Sequence, residues 1–304
     1  MIVETHALAK RYRGVAALNG LSMSVAEGSA FALIGANGAG KTTVLKLLIN
    51  LLKPSSGRAS VLGVDSQRIS HPELAQIGYV SENQVLPGRL TVADYFDYLR
   101  SFYENWDRSI EDRLRRDLDL PAARRIRDLS HGMRMKMALV CALPFRPSLL
   151  LLDEPLSGLD PLARDEVMEG LLSHAGETTI VISSQELAEI EHVVTHVGFL
   201  DSGRLLFQDA MSDLGARVKQ VRVVLDAPAT APPGFPPEWI DVRASGNVLT
   251  FVDTQHSEEA LDERLKTFVP GVRRVEAEAM PLRSIFVSLA RAMRERARSA
   301  EGAH

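Results

Sequence analysis

Residues 35–43 hold the densest chemistry in this sequence: Gly35, Ala36, Asn37, Gly38, Ala39, Gly40, Lys41, Thr42 and Thr43. Two glycines at this distance, followed at once by Lys-Thr, have the spacing of a P-loop. In such a loop successive backbone N–H groups line one concavity and the lysine reaches the β- and γ-phosphates. The Thr42 hydroxyl is placed to ligate Mg²⁺, a hard cation that prefers oxygen. The implied chemistry is the holding of a nucleoside triphosphate. A second chemical segment follows far along the chain, where four leucines, Leu149 to Leu152, run into Asp153-Glu154-Pro155. An apolar strand here would deliver Asp153 to a waiting metal ion and Glu154 beside it, the best candidate to orient or deprotonate an attacking water.

These groups need a rigid frame, and the surrounding pattern supplies one. Residues 29–34 read as a buried strand and residues 42–48 as the start of an amphipathic helix, the strand-loop-helix setting a P-loop requires. Residues 149–152 and 179–182 are unbroken apolar runs ending in polar residues, as strands of a sheet covered on both faces are. Short strands are also expected at 2–5, 18–25, 57–63 and 76–80, with turns at Arg13-Gly14 and Glu27-Gly28. From Thr91 to Cys141 the period becomes helical, with Val92, Tyr95, Phe96 and Leu99 on one face. The basic residues of that stretch, Arg113, Arg115, Arg116, Arg124, Arg125 and Arg127, interleave with Glu111, Asp112, Asp117, Asp119 and Asp128, which predicts a solvated helix surface.

After Met211 the pattern changes. Short strands at 221–225, 240–242 and 248–252, a proline-rich stretch at 228–237, and helices at 258–268 and 281–296 predict a small α+β unit. The expected organisation is thus a parallel α/β domain over 1–212, carrying a helical insertion at about 88–145, and a C-terminal α+β domain over 217–304.

With 304 residues, 45% of them hydrophobic, the chain can bury a large core. A net charge of −4 argues against a general grip on nucleic acid. The longest apolar runs, such as 137–145, fall short of a membrane span, and neither a transmembrane helix nor a signal peptide is expected. The single cysteine, Cys141, has no internal partner and lies in an apolar helical pattern, as a core residue would.

Five segments in order resemble the nucleotide-binding subunit of an ABC (ATP-binding cassette) transporter over about residues 1 to 210. Tyr12 stands upstream of the P-loop where that family places an aromatic against adenine. Residues 149–155 match the Walker B form. Leu129-Ser130-His131-Gly132-Met133-Arg134 stands at the family's LSGGQ signature, with His131 and Met133 replacing its glycine and glutamine. Ser157-Gly158-Leu159-Asp160 resembles the D-loop, and Ile180 to Gln185 ends with Gln185 where the family has its switch histidine. Glu82 falls at the Q-loop glutamine and is preferred by spacing over Gln84 as the residue that touches Mg²⁺ and the lytic water.

The resemblance implies an ABC cassette fold: a RecA-like parallel core sheet, an N-terminal antiparallel β subdomain and an inserted helical subdomain. It implies ATP and Mg²⁺ as ligands, with Thr42, Glu82 and Asp153 on the metal and Glu154 and Gln185 in the catalytic set. It further implies a head-to-tail homodimer, or a heterodimer with a related ATPase chain, in which Ser130, His131 and Gly132 touch the partner's ATP and Asp160 crosses in the D-loop. Membrane permease helices would dock near Glu82, placing the chain in the cytoplasm on the inner face of the membrane. The single cassette, residues 80–83, Asp201 to Leu205 and residues 281–286 look like type-2 ABC exporters. Departures at His131, Met133 and Gln185 leave open a nucleotide-gated regulatory subunit with slow turnover; a second alternative, an ABC ATPase that does not transport, has the single cassette and the acidic balance against it.

Overall fold

The computed structural model describes residues 1–172, 178–229 and 234–301. The chain divides into two compact units, Met1–Gln208 and Asp209–His304. The sequence reading put that boundary between 212 and 217.

The first unit begins with a long hairpin, β1 (Val3–Tyr12) and β2 (Val15–Val25), turned by Arg13 and Gly14, both at positive φ. There follow β3 (Ala30–Ile34), α1 (Lys41–Leu48), β4 (Ser56–Val61), β5 (Val64–Asp65), α2 (His71–Leu74) and β6 (Ile77–Ser81). Three helices come next, α3 (Val92–Arg100), α4 (Arg108–Asp117) and α5 (His131–Ala142). The unit closes with β7 (Leu149–Asp153), α6 (Pro161–Leu172), β8 (Thr179–Ser184), β9 (His196–Asp201) and β10 (Arg204–Ala210). Both hairpin strands run longer than expected. Their outer residues alternate between polar and apolar on a surface sheet, which weakens the apolar signal that marks a strand.

Two sheets result. The antiparallel one has order β2-β1-β4-β5, and the core sheet has order β10-β9-β3-β8-β7-β6. Every residue of β3, β7 and β8 is buried, as their unbroken apolar runs require. Their registers align the strand ends: Ser81 pairs with Asp153, Asp153 with Ser183, and Ile34 with Ser184. Four neighbouring strands therefore stop at one level, and the loops after them emerge together. Leu45, Leu47 and Leu48 of α1 join residues of both sheets in one core cluster. Each such fully buried leucine contributes about 2 kcal/mol over leaving it in water.

The helical stretch corrects one expectation. Glu111 of α4 is fully buried rather than solvated. Its carboxylate accepts from Arg100 Nη2 at 2.6 Å and Nε at 2.8 Å, from Trp106 Nε1 at 2.8 Å and from Arg115 Nη1 at 3.2 Å. Burial works against its charge, but the hydrogen bonds from Arg100 and Trp106 prevail and hold it below the usual carboxylate range. Interleaved charges look alike in sequence whether they face water or converge on one buried partner. Burial also pushes the Cys141 thiol well up, which suits a packing residue.

The second unit contains α7 (Met211–Arg217), β11 (Lys219–Leu225), β12 (Trp239–Ser245), β13 (Val248–Asp253), α8 (Glu258–Phe268), β14 (Val272–Ala279) and α9 (Leu282–Glu301). Its four strands form one sheet of order β12-β13-β11-β14, antiparallel throughout. Val221, Val223, Trp239 and Phe251 pack against Leu261 and Leu265 of α8. Part of the proline-rich stretch, residues 230–233, lies outside the described residues. The sequence reading missed α7 and β14: the first is short, and the second carries charges at half its positions.

Candidate nucleotide-binding site

The site grows from the end of β3. A Cβ at Gly35 would stand 2.3 Å from the Leu200 carbonyl oxygen, and one at Gly40, which adopts φ 110°, 2.6 Å from that of Ala17. Only glycine lets the backbone pass these two points, so the spacing seen in the sequence has a steric cause. The loop is braced by Ala39 N–H donating to Ala36 O at 3.1 Å and by Gly203 N–H donating to Ala39 O at 3.0 Å. It leads directly into α1, whose first-turn amides have no intrahelical acceptor and so suit an anion.

Residues 37–43 line a cavity of about 310 Å³, together with Ala17, Glu82 and Glu154. Lys41 is 5% exposed and folds back on the loop, donating to Gly35 O at 2.5 Å and Ala36 O at 3.2 Å. Its Nζ also lies 3.0 Å from Glu154 Oε1. The Thr42 hydroxyl donates to Asp153 Oδ1 at 2.9 Å, and the Ser183 hydroxyl donates to the same oxygen at 2.9 Å. Ser183 also accepts from the Glu154 N–H at 3.0 Å. Glu154 itself adopts φ 50°, a conformation a non-glycine residue holds only at a cost of about 1–3 kcal/mol. The Glu82 N–H donates to the Asp153 carbonyl at 3.0 Å, which holds Glu82 on the cavity wall.

The residues fit Mg²⁺. Thr42, Asp153 and Glu82 offer hard oxygens, and among the described residues no three His, Cys, Asp or Glu side chains gather to hold a metal unaided. A cation here would complete its shell with phosphate and water oxygens, which is the habit of Mg²⁺.

The remaining expected residues lie outside the cavity lining. Ser130 caps α5, its hydroxyl accepting from Met133 N–H at 3.2 Å. His131 Nε2 is 3.1 Å from the Ser157 carbonyl oxygen, and a Cβ on Gly158, at φ 68°, would stand 3.5 Å from that same nitrogen. Gly132 sits in the first turn of α5 beside Ala163 and Leu159, and Asp160 accepts from Ala163 N–H at 3.0 Å to start α6. Residues 130–132 and 157–160 thus meet through the His131 ring. Tyr12 is 40% exposed with Lys10 Nζ 5.1 Å from its ring centre, and Gln185 is exposed just beyond β8.

Sequence reasoning missed two participants. Ser183 ties Asp153 to Glu154; a polar residue closing an apolar strand next to the Asp-bearing strand was its signal. Ala17 gives no such signal, because only its position matters.

The ABC transporter family model matches residues 18–157. A daunorubicin resistance ATP-binding protein of Streptomyces coeruleorubidus is 35% identical over 219 residues, 70% of this chain and 68% of that one. The bacitracin transport ATP-binding protein of Enterococcus faecalis is 31% identical over 220 residues, 71% of each chain. Among solved structures, the ATP-binding subunit of an ABC transporter superposes with a TM-score of 0.64 at 28% identity, covering 71% of this chain and 92% of that one.

Proposed function

This chain belongs to the ATP-binding proteins of ABC transporters, and on that premise we propose that it hydrolyses ATP in a two-fold dimer to drive a separately encoded membrane permease in export. Proteins of this family bind ATP and work as dimers with membrane permease components. One observation carries the reading: the P-loop, Thr42-Asp153 and Glu154 converge on one cavity at the carboxyl ends of β3 and β7, the two strands that flank β8.

In this reading the amides of residues 37–43 bind the β- and γ-phosphates, and Lys41 turns from Glu154 toward them. Thr42, Asp153 and Glu82 would hold Mg²⁺, which neutralises phosphate charge when bound. Glu154, released from Lys41, orients the attacking water and accepts its proton. Ser183 keeps the Asp153 and Glu154 backbone in register. Gln185 donates an amide hydrogen to the γ-phosphate in place of an imidazole. Tyr12 stacks on adenine, as resemblance alone suggests.

The other half of the pocket comes from a second copy, whose Ser130 hydroxyl, His131, Gly132 amide and α5 N-terminus cap the γ-phosphate while Asp160 crosses between subunits. ATP then cements the pair, and its hydrolysis releases it. The drug-resistance relative supports export. No helix among the described residues is long and apolar enough to cross a membrane, so the proposed membrane attachment is peripheral, through the permease on the cytoplasmic face.

The test is MgATP turnover by the purified chain. Lys41→Ala should abolish binding and turnover together, whereas Glu154→Gln should abolish turnover and keep ATP bound. Equal turnover in Glu154→Gln and the parent would overturn the catalytic assignment.

A further inference from the structure

The sheet of the C-terminal unit has two edges, β12 and β14, and they differ in how much of each runs regularly. On β12 the pairing with β13 slips between Ile240 and Arg243, where Asp241 adopts φ 51°. Ser288 of α9 donates to Asp241 Oδ2 at 2.7 Å, so a helix is fastened beside that irregularity. A bulge and a covering helix are the usual means of withdrawing an edge from further pairing. β14 has neither. It pairs with β11 without interruption from Lys219–Ala279 to Val224–Arg274, and among the described residues no strand pairs with its other side.

An open edge accepts any strand unless its side chains choose. Along β14, Arg274, Glu276 and Glu278 share one face, and Val275 and Ala277 share the other. Two copies related by a two-fold axis perpendicular to the sheet pair antiparallel with like faces together, so the axis must pass through a residue position. Centred on Val275, Arg274 of each copy stands opposite Glu276 of the other, and Val275 meets Val275. Centred on Arg274 or on Glu276, that residue meets its own charge. Arg222 of β11 stands opposite Glu276 within the sheet. The Val275 register therefore gives a row running Arg222, Glu276, Arg274 of the second copy, with the signs alternating.

We propose that β14 is a docking edge for a second copy of this chain, joining two four-stranded sheets antiparallel through Val275. The same charges disfavour the registers centred on Arg274 and Glu276, which makes the edge selective for one register of its own copy. This contact does not use ATP, so it stands or falls separately from the nucleotide clasp.

Within one chain Arg274 and Glu276 already form an ion pair of 2.7 Å, and the experiment must separate that pair from one between copies. Sedimentation of the full-length chain without nucleotide, compared for the parent, Arg274→Glu and Glu276→Arg, does so. The parent should dimerise, and each variant alone should do so about tenfold or more weakly, because both opposite-charge pairs become like-charge pairs. An equimolar mixture of the two variants should recover the dimer: position 274 of one then faces position 276 of the other with opposite signs on both sides of the axis. No ion pair within a single chain can give that recovery. Circular dichroism and thermal unfolding of each full-length variant check that the C-terminal sheet is folded, and Glu276→Gln, which adds no charge beside Arg222, gives a milder loss if Glu276→Arg misfolds. A monomeric parent, or a mixture no stronger than either variant, would overturn the proposal.

Discussion

The nucleotide cavity and the signature segment use the same part, a helix N-terminus entered from a loop, and they finish it differently. At α1 the approach is ringed by fixed chemistry. Lys41, Thr42, Asp153, Glu154 and Ser183 are tied together by contacts of 2.9 to 3.0 Å. At α5, Ser130 satisfies its own helix, and His131 spends its ring on a carbonyl of the D-loop segment. In the proposed reading one region is a phosphate cradle with its own catalytic groups, and the other is a phosphate cap without a cradle. The difference teaches why a chain of this kind would work in pairs: the cap has value only over another copy's cradle.

Damage to the cradle should give the largest effects. Lys41→Ala is expected to lower ATP affinity at least about 100-fold, measured by equilibrium binding, because a buried cation facing phosphate is lost. Glu154→Gln should lower kcat about 10²- to 10⁴-fold, the usual worth of a general base, with ATP binding kept. It also frees Lys41 from its carboxylate, so ATP should bind at least as tightly as to the parent.

Damage behind the cap should be different in kind. Glu111 gathers Arg100, Trp106 and Arg115 within the helical stretch that carries α5. Glu111→Ala should cost about 3 kcal/mol in chemical denaturation, because two arginines lose a buried partner. ATP affinity per chain should be unchanged. The folded Glu111 carboxyl titrates below its unfolded value, so its stabilisation is complete above about pH 4.3 and is lost as the pH falls through the folded value. The acid limb of a stability profile should therefore flatten in Glu111→Ala.

The cradle was largely legible in the sequence, and the reason is physical. Residues 30–34 and 149–153 lie in strands buried on both faces, where every position must be apolar until the site begins, so the first polar residue marks the chemistry. Glu111 was not legible, because a charge among charges carries no mark of burial. Nor was β14, whose sequence VRRVEAEA gives up apolar content on an open edge. Ser183 sat in a segment noticed for Gln185, yet its role depends on the Asp153–Ser183 register between neighbouring strands, which a one-dimensional pattern does not contain. Tyr12 was chosen for its place before the P-loop, and the structure leaves it half in solvent, outside the cavity lining.

The smallest effects should come from the departures at the cap and the switch. His131→Gly removes the tie to Ser157 and should raise the protein concentration needed for half-maximal ATPase activity several-fold, with ATP binding per chain unchanged. Gln185→His should raise turnover several-fold by restoring an imidazole at the end of β8. An unchanged or lower rate would remove Gln185 from the catalytic set.

Reciprocal completion of the pocket is tested most directly by mixing two inactive variants, Lys41→Ala, which spoils the cradle, and Gly132→Asp, which sets a carboxylate in the cap. A Cβ at Gly132 meets only ordinary contacts at 3.5 and 3.6 Å, so the second variant should fold. In a mixed dimer both lesions fall on one pocket and the other is intact. ATPase activity should then return to at most about a quarter of the parent, since half of the dimers are mixed and each keeps one working pocket. A mixture as inactive as its components would contradict the account.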